Sequence, residues 1–406
     1  MEKNTTSIRQ SIVKRFFINT LTGTAPQSTA QRTTMRIAVS AFYFCMGFSF
    51  FSWTSRIPDI KTKLHLNEAQ LGSILLALPI GQLMMMPVSG RLVTKYGSKT
   101  ILSFAILLYV TELTNLGWVN QGWQLALALF VFGLVGNLSN ISVNTQGVMA
   151  EKIYGRPIMT TFHGVWSLAG FSGSLVGLLM MNIGLTPRRH FVIVAAFVFT
   201  VVLLARRYLI TGTTGGGERK KIFSRPEGVL VKLGIIAFCS MAAEGTMFDW
   251  SGVYFKEIVH APQSLVMLGL TTFTIMMAAG RFAGDRIIAK VGRKKLLQVS
   301  GILIFSGMMM AVLLPHLATA TIGFFIVGFG VSSVIPTIYS TAARTAKTSP
   351  GMALAGVSSI GFLGFLTGPP LIGYVAQISS LQYSFAVMAV FGLCVSIMVS
   401  KLKVIE

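Results

Sequence analysis

The chain is predicted to fold as an all-α membrane protein, with twelve transmembrane helices arranged as two pseudo-symmetric six-helix bundles. Three observations predict this. Of the 406 residues, 53% are hydrophobic and only 11% are charged, and the mean hydropathy is +0.69; a soluble domain of this size needs far more polar surface. A spanning helix takes about 20 mostly apolar residues, and twelve such windows follow one another along the chain, too long and too little alternating to be barrel strands. The cassette Gly90-Arg91-Leu92-Val93-Thr94-Lys95-Tyr96-Gly97-Ser98-Lys99 also returns about half a chain later as Asp285-Arg286-Ile287-Ile288-Ala289-Lys290-Val291-Gly292-Arg293-Lys294. Arg91, Lys95, Gly97 and Lys99 recur in register as Arg286, Lys290, Gly292 and Lys294, which marks a duplicated fold.

Residues 1–33, Thr- and Ser-rich with scattered cations, read as a tail, and they lack the short apolar core and small-residue cleavage site of a signal peptide. The first bundle is placed at 34–206. Its first window, 34–55, holds Tyr43, Phe50 and Trp53 and stops at Arg56; the second, 68–90, stops at the first basic cassette. The third, 100–118, carries the acid Glu112, and the fourth, 123–149, carries Asn137, Asn140 and Asn144 and closes before Glu151-Lys152. The fifth, 158–182, opens with His163 and Trp166 and then a glycine series; the sixth, 190–206, ends on Arg206-Arg207. Residues 207–231, with Thr211-Gly212-Thr213-Thr214-Gly215-Gly216-Gly217 and then Glu218-Arg219-Lys220-Lys221, suit a flexible linker.

The second bundle is placed at 232–400. Its windows are 232–254, with Glu244 and Asp249, then 265–284 before the second cassette, 296–314, 318–341 with Tyr339, 352–376 and 382–400. The eleventh contains Gly361, Gly364, Gly368 and Gly373 with Pro369 and Pro370, a pattern for close helix approach and a soft kink. Residues 401–406 form a second short tail.

A net charge of +22 suggests nucleic acid in a soluble protein, but here the placement of the cations decides. All 34 Lys and Arg can be assigned to loops or helix ends, and only Arg56, Lys61, Lys63, Arg188, Arg189 and Lys256 fall on the side opposite the cassettes. The positive-inside rule then places both termini in the cytoplasm and makes nucleic acid the poorer partner. Cys45, Cys239 and Cys394 lie in apolar windows without paired spacing, so neither a disulfide framework nor a metal site is indicated. No His-Glu-x-x-His, no phosphate-cradling Gly-Lys-Ser/Thr loop and no Cys/His cluster is present. Enzyme chemistry and primary pumping therefore have no footing, no cofactor is expected, and energy is expected from an ion gradient.

The basic cassettes, the duplication and the twelve windows resemble the major facilitator superfamily over nearly the whole chain. Ser52-Trp53-Thr54-Ser55-Arg56-Ile57-Pro58, His163-Gly164-Val165-Trp166-Ser167-Leu168, Ala243-Glu244-Gly245, Asp249-Trp250, Gly280-Arg281-Phe282-Ala283-Gly284 and Gly368-Pro369-Pro370-Leu371-Ile372-Gly373 resemble the bacterial branch distantly similar to fucose permease. That resemblance implies two bundles rocking about a central cavity lined by helices one, four, seven and ten, in a bacterial inner membrane, with the chain acting as a monomer. One departure stands out: the family's loop motif carries an aspartate at its fifth position, where this chain has Thr94 and Ala289. Asp285 is expected instead to pair with Arg281, four residues before it.

Intramembrane acids are expensive and functional by default. Of twelve acids only Glu112, Glu244 and Asp249 sit at membrane depth by this reading. Glu244, midway along helix seven with Ser240 one turn earlier, is the leading proton-coupling candidate; the competing reading is a neutral acid bonded to a neighbouring helix. Asp249, about 140° further round the helix, is a second proton-coupling candidate, expected off Glu244's face and capping or gating the outer mouth, or else simply solvated at the helix end; His163 is the third, a titratable donor beside Trp166, or else a satisfied structural group. Asn137, Asn140, Asn144 and Gln146 offer uncharged amides suited to hydroxyls, or interhelical glue. Tyr43, Trp53, Trp166 and Tyr339 offer faces for a sugar ring, or membrane-interface anchors. The function expected is proton-coupled uptake of a small polar solute, a sugar or sugar derivative, by alternating access, with membrane lipid as surroundings. The proton is favoured over sodium because the acids look isolated. The rivals are a proton-driven exporter of drugs or metabolites and a non-transporting sensor or scaffold.

Overall fold

A computed structural model of the chain describes residues 29–155, 158–211, 228–345 and 350–402. Most of the expected first tail, the glycine-rich core of the linker at 212–227 and the last four residues lie outside the described residues. Among the described residues the regular structure is helical, with no strand. The helices are α1 (Thr29–Thr54), α2 (Ile57–Lys63), α3 (Glu68–Leu75), α4 (Ala77–Tyr96), α5 (Ser98–Leu116), α6 (Gly122–Tyr154), α7 (Met159–Asn182), α8 (Pro187–Ala205), α9 (Gly228–Glu257), α10 (Leu268–Val291), α11 (Arg293–Leu313), α12 (Leu317–Ser332), α13 (Val334–Thr345), α14 (Pro350–Ile378) and α15 (Leu381–Lys401).

They make twelve stretches long and apolar enough to cross a membrane, because α1 with α2, α3 with α4, and α12 with α13 each form one span. A backbone in lipid must satisfy its own N–H and C=O groups, and only the helix does so within one segment. Several helices outrun their apolar windows: α6 continues to Tyr154 and α9 begins at Gly228. Polar side chains close the ends. Asn67 Oδ1 accepts from the Gln70 N–H at 2.8 Å while Gln70 Oε1 accepts from the Asn67 N–H at 3.0 Å, a reciprocal cap that starts α3. Glu151 Oε2 accepts from the N–H groups of Ile158 and Met159 at 2.8 and 2.9 Å, so this acid at the end of α6 caps the start of α7.

The duplicated cassette folds twice into the same turn. Gly97, between α4 and α5, has φ +81° and ψ +142°, and Gly292, between α10 and α11, has φ +78° and ψ +161°. Each donates its N–H to the carbonyl four residues back, Val93 at 3.0 Å and Ile288 at 2.9 Å. That backbone region is closed to residues with a Cβ at a cost of about 1–3 kcal/mol. Gly97→Ala is expected to destabilise the detergent-purified protein by that order, read as a lower melting temperature, whereas Gly90→Ala, inside α4 where an added Cβ meets nothing within 4 Å, is expected not to lower it.

In the first bundle α1 packs on α7, α4 on α6, and α5 on α6 and α8; in the second, α9 packs on α14, α10 on α12, and α11 on α12 and α15. The bundles meet along α7–α10 and α3–α14. One end of the molecule, carrying Arg91, Lys95, Lys99, Arg206, Arg286, Lys290 and Arg293, is strongly basic. The opposite end is closed. There Lys61 Nζ donates to Glu68 Oε1 at 2.9 Å within its own bundle and to Glu257 Oε1 of the other, and Lys256 Nζ reaches Thr62 Oγ1 at 2.7 Å. Ser73 and Tyr374 share a 2.9 Å hydroxyl bond and Ser174 and Thr274 one of 3.3 Å. Glu68 and Glu257 are members of this closing network, and Asp59 Oδ1 accepts from Gln263 Nε2 of the other bundle at 3.4 Å. Arg56, assigned to a loop, is 1% exposed and is held by His190, Asp59 and the Leu185 carbonyl.

Candidate functional site

Between the bundles lies a cavity of about 590 Å³. Helix α9 presents Met241, Glu244, Gly245, Phe248 and Asp249 to it, a stripe at spacings of three and four covering about 140° of the helix. This corrects the expectation that Asp249 stands off Glu244's face: the cavity is wide enough to take the whole arc, and the two acids form its two edges.

Their surroundings differ. Glu244 Oε1 accepts from Arg281 at 3.1 Å, with side-chain exposures of 7% and 19%. The same guanidinium donates to Ser167 Oγ of the other bundle at 2.7 Å and lies 5.9 Å from the centre of the Trp166 ring. Two expectations fall here: Glu244 is not isolated, and Arg281 is not a helix-end cation. The physical reason is depth: Arg281 is thirteen residues into α10, where lipid offers a guanidinium no partner and the cavity wall offers two. The expected Arg281–Asp285 pair involves a side chain that lies outside the described residues. Asp249 lines the cavity with no hydrogen bond or ion pair among the described residues.

The amides divide. The Tyr43 hydroxyl donates to Asn144 Oδ1 at 2.9 Å, and Asn144 Nδ2 donates to Asn140 Oδ1 at 2.8 Å, so a relay runs from α1 to the exposed Asn140 on the cavity wall. Asn137, about 60° from Asn140 around α6, turns to α4 instead and accepts from Ser89 Oγ at 2.8 Å. Gln146 is about 200° on from Asn144, away from the cavity: fully buried, it bonds Ser98 Oγ and both backbone groups of Ile210. Asn137 and Gln146 are therefore helix and linker fasteners in this arrangement, not cavity residues.

The aromatic residues gather as expected. Tyr43, Trp53, Trp166, Tyr339 and His163 all line the cavity. Tyr43 stacks on Phe162 at 5.3 Å and meets His163 edge-on at 5.7 Å. Trp53 is 1% exposed and its indole Nε1 has no partner among the described residues, while the Tyr339 hydroxyl bonds Ser358. Phe248 forms the hub, with Phe50 at 5.9 Å, Phe51 at 5.0 Å and Trp166 at 6.3 Å from one bundle, and Phe273 and Phe365 at 5.7 and 6.5 Å from the other.

Sequence reasoning missed Arg281, Gln82, Ser332, Ser333 and Thr337 as cavity residues. A signal existed for Arg281, a cation inside an apolar window. None existed for the hydroxyls, which are common in buried helices. The basic residues of the repeated cassettes, by contrast, stay at the basic end, although Ile288 of the second one reaches the cavity: Lys99 Nζ bonds the Arg207 carbonyl at 3.2 Å, and Arg91, Lys95, Arg286 and Lys290 are exposed.

Comparison with known proteins agrees with this architecture. The chain is 32% identical over 367 residues to an uncharacterised MFS-type transporter of Yersinia pestis, covering 90% of this chain and 94% of that protein. Among solved structures, the nucleoside transporter NupG superposes with a TM-score of 0.73 at 13% identity, covering 91% of this chain and all of that one, and a D-xylose–proton symporter with 0.72 at 13%, covering 91% and 97%. At such identity these two speak for the fold. The model of the Major Facilitator Superfamily matches residues 38–351 and 233–405, and with two duplicated bundles closed at one end around a polar-and-aromatic chamber, the chain belongs to that superfamily of membrane transporters.

Proposed function

We propose that the protein is a proton-coupled uptake carrier for a small, hydroxyl-rich polar solute, of the sugar or polyol class, working by alternating access in a bacterial inner membrane. The observation that carries this reading is the cavity's split lining. The partly exposed rings of Phe50, Trp166 and Tyr339 supply flat apolar faces, backed by the buried Tyr43, Trp53 and Phe248, and Asn140, His163, Asp249 and Arg281 supply donors and acceptors beside them. A pyranose or cyclitol presents C–H faces and a hydroxyl edge that match such a lining; a hydrophobic drug would strand the polar groups. The two solved structures named above are described as a nucleoside transporter and a D-xylose–proton symporter, which fits the same class.

By the positive-inside rule the basic end is cytoplasmic. The closed end is then the outer one, sealed by Lys61 with Glu257, and this arrangement is the inward-facing stage of the cycle. Proton coupling is assigned to the two acids of α9 in different roles. Asp249, without a counter-charge, exchanges its proton with cavity water. Glu244, held by Arg281, belongs to a bridge from α9 through α10 to Ser167 of the first bundle, so a change in its charge bears directly on how the bundles are joined. His163 shares the chamber.

The test is direction and coupling sign. Right-side-out vesicles holding a pH-sensitive dye are given D-xylose, D-ribose or myo-inositol from outside. Uptake with protons acidifies the lumen; alkalinisation by an added solute identifies an exchanger or exporter and rejects the reading.

A further inference from the structure

The tenth span is interrupted where it meets the cavity. Helix α12 ends at Ser332 and α13 begins at Val334, and the backbone bonds around Ser333 are rearranged. The Ser333 N–H turns to the Val331 carbonyl, and the Phe329 carbonyl that it abandons accepts instead from Ser332 Oγ at 2.6 Å. Pro336 falls in the first turn of α13, where a missing N–H does no harm to that helix, but it leaves the Ser332 carbonyl one turn back without its helical donor. The helix resumes with the Thr337 N–H on the Ser333 carbonyl at 3.2 Å. Ser332, Ser333, Pro336 and Thr337 all lie on the cavity wall. Thr337 is 2% exposed, and its Oγ1 has no hydrogen-bond partner among the described residues.

The break is built to pack. A Cβ at Gly280 of α10 would sit 2.3 Å from Ser332 Oγ, and one at Gly284 would sit 3.0 Å from Ser333 Oγ. Two of the glycines of Gly280-Arg281-Phe282-Ala283-Gly284 therefore seat the interruption, while Arg281 between them reaches Glu244. Irregular backbone at membrane depth is tolerated only where it is buried in protein or lines a cavity, and a buried donor left unpaired is a standing cost.

We propose that this interruption is a solute-recognition subsite, in which the Thr337 hydroxyl and the carbonyl freed by Pro336 bind a hydroxyl group of the transported solute. A solute hydroxyl can accept from Thr337 Oγ1 and donate to the Ser332 carbonyl, one group answering both, and a χ1 rotation of Thr337 is enough to present its hydroxyl. The subsite rests on the hydroxylated-solute reading of the cavity and deepens it, naming α13 as the element that distinguishes a hydroxyl from a hydrogen at one solute position.

The experiment measures melting of the full chain in detergent, for the wild type, Thr337→Val and Thr337→Ser, alone and titrated with D-xylose, D-ribose, myo-inositol and glycerol. The expected result has three parts. Without solute, Thr337→Val melts no lower than the wild type, since it removes an unpaired donor and keeps the shape. At least one of the four solutes raises the wild-type melting temperature. The midpoint of that titration moves up by roughly tenfold in Thr337→Val, the worth of a hydrogen bond at a ligand, and returns in Thr337→Ser. Loss of stability or folding in Thr337→Val that Thr337→Ser restores shows a structural hydroxyl and overturns the subsite. Equal midpoints in wild type and Thr337→Val overturn the subsite and leave the hydroxylated-solute reading standing. A wild type that none of the four solutes stabilises overturns that reading, and the subsite with it.

Discussion

Asp249→Asn is expected to abolish proton-driven accumulation while leaving solute exchange across the membrane intact. Asparagine keeps the size and one acceptor oxygen of the aspartate but cannot take or release a proton, so the cavity retains its shape and loses its coupling. The effect is large because the driving force is large. One elementary charge moving through 100 mV carries about 2.3 kcal/mol, and at about 1.4 kcal/mol per tenfold a carrier coupled to one proton sustains a gradient of roughly 50-fold. The variant's gradient should fall to about one, with counterflow of preloaded solute continuing at wild-type order. Measuring both in the same vesicles separates uncoupling from a broken carrier. Accumulation by Asp249→Asn equal to the wild type at every pH would place the proton elsewhere, with Glu244 the next acid to replace.

The pair Glu244–Arg281 should show strong coupling. At 3.1 Å and with both side chains mostly buried, neither charge can be removed without stranding the other, and breaking such a pair costs about 3–5 kcal/mol. Glu244→Gln and Arg281→Gln are each expected to lower the melting temperature substantially. The double variant is expected to recover most of the loss, because an amide pair leaves no uncompensated charge. Ser167 sharpens the comparison: Arg281→Gln also gives up the 2.7 Å bond to the first bundle, so it should cost more than Glu244→Gln. Losses that merely add in the double variant would show two independent side chains and remove the bridge from the proposed cycle.

Much of this protein is legible as a string. Twelve windows of apolar residues become twelve membrane-length helices because lipid leaves a backbone no other way to satisfy itself. The repeat of Arg91, Lys95, Gly97 and Lys99 becomes a turn made twice, with Gly97 and Gly292 at nearly the same φ, because a glycine that must adopt a forbidden angle announces itself in composition. Asn140, Trp166 and Glu244 line the cavity and could be placed there by helical period alone, each being polar or aromatic at a depth where such residues need a reason, while Asn144 stands behind Asn140 as its partner.

The period failed where the neighbour mattered more than the face. Asn137 lies near Asn140 on α6 yet spends its amide on Ser89, and Gln146 spends its own on the backbone of Ile210; nothing in the order of residues says that α4 and the linker come within reach. Helical rotation of about 140° sets Asp249 apart from Glu244, and the chamber is broad enough to take both. Arg281 reads among the cations of loops and helix ends, whereas its charge answers Glu244, 37 residues distant. The interruption at Ser333 is invisible in an apolar window that reads as one helix.

The sequence by itself determined that the chain crosses a membrane twelve times, that it is a duplication, which end carries the cations and which few polar groups are buried, because these follow from the solvation of each residue and the short-range period of the helix. Only the tertiary structure decided which charges meet, which amides are spent on fastening and where a helix yields to the cavity, because those depend on distances between segments far apart in the chain, and the membrane's low dielectric makes each such meeting worth several times what it would be in water.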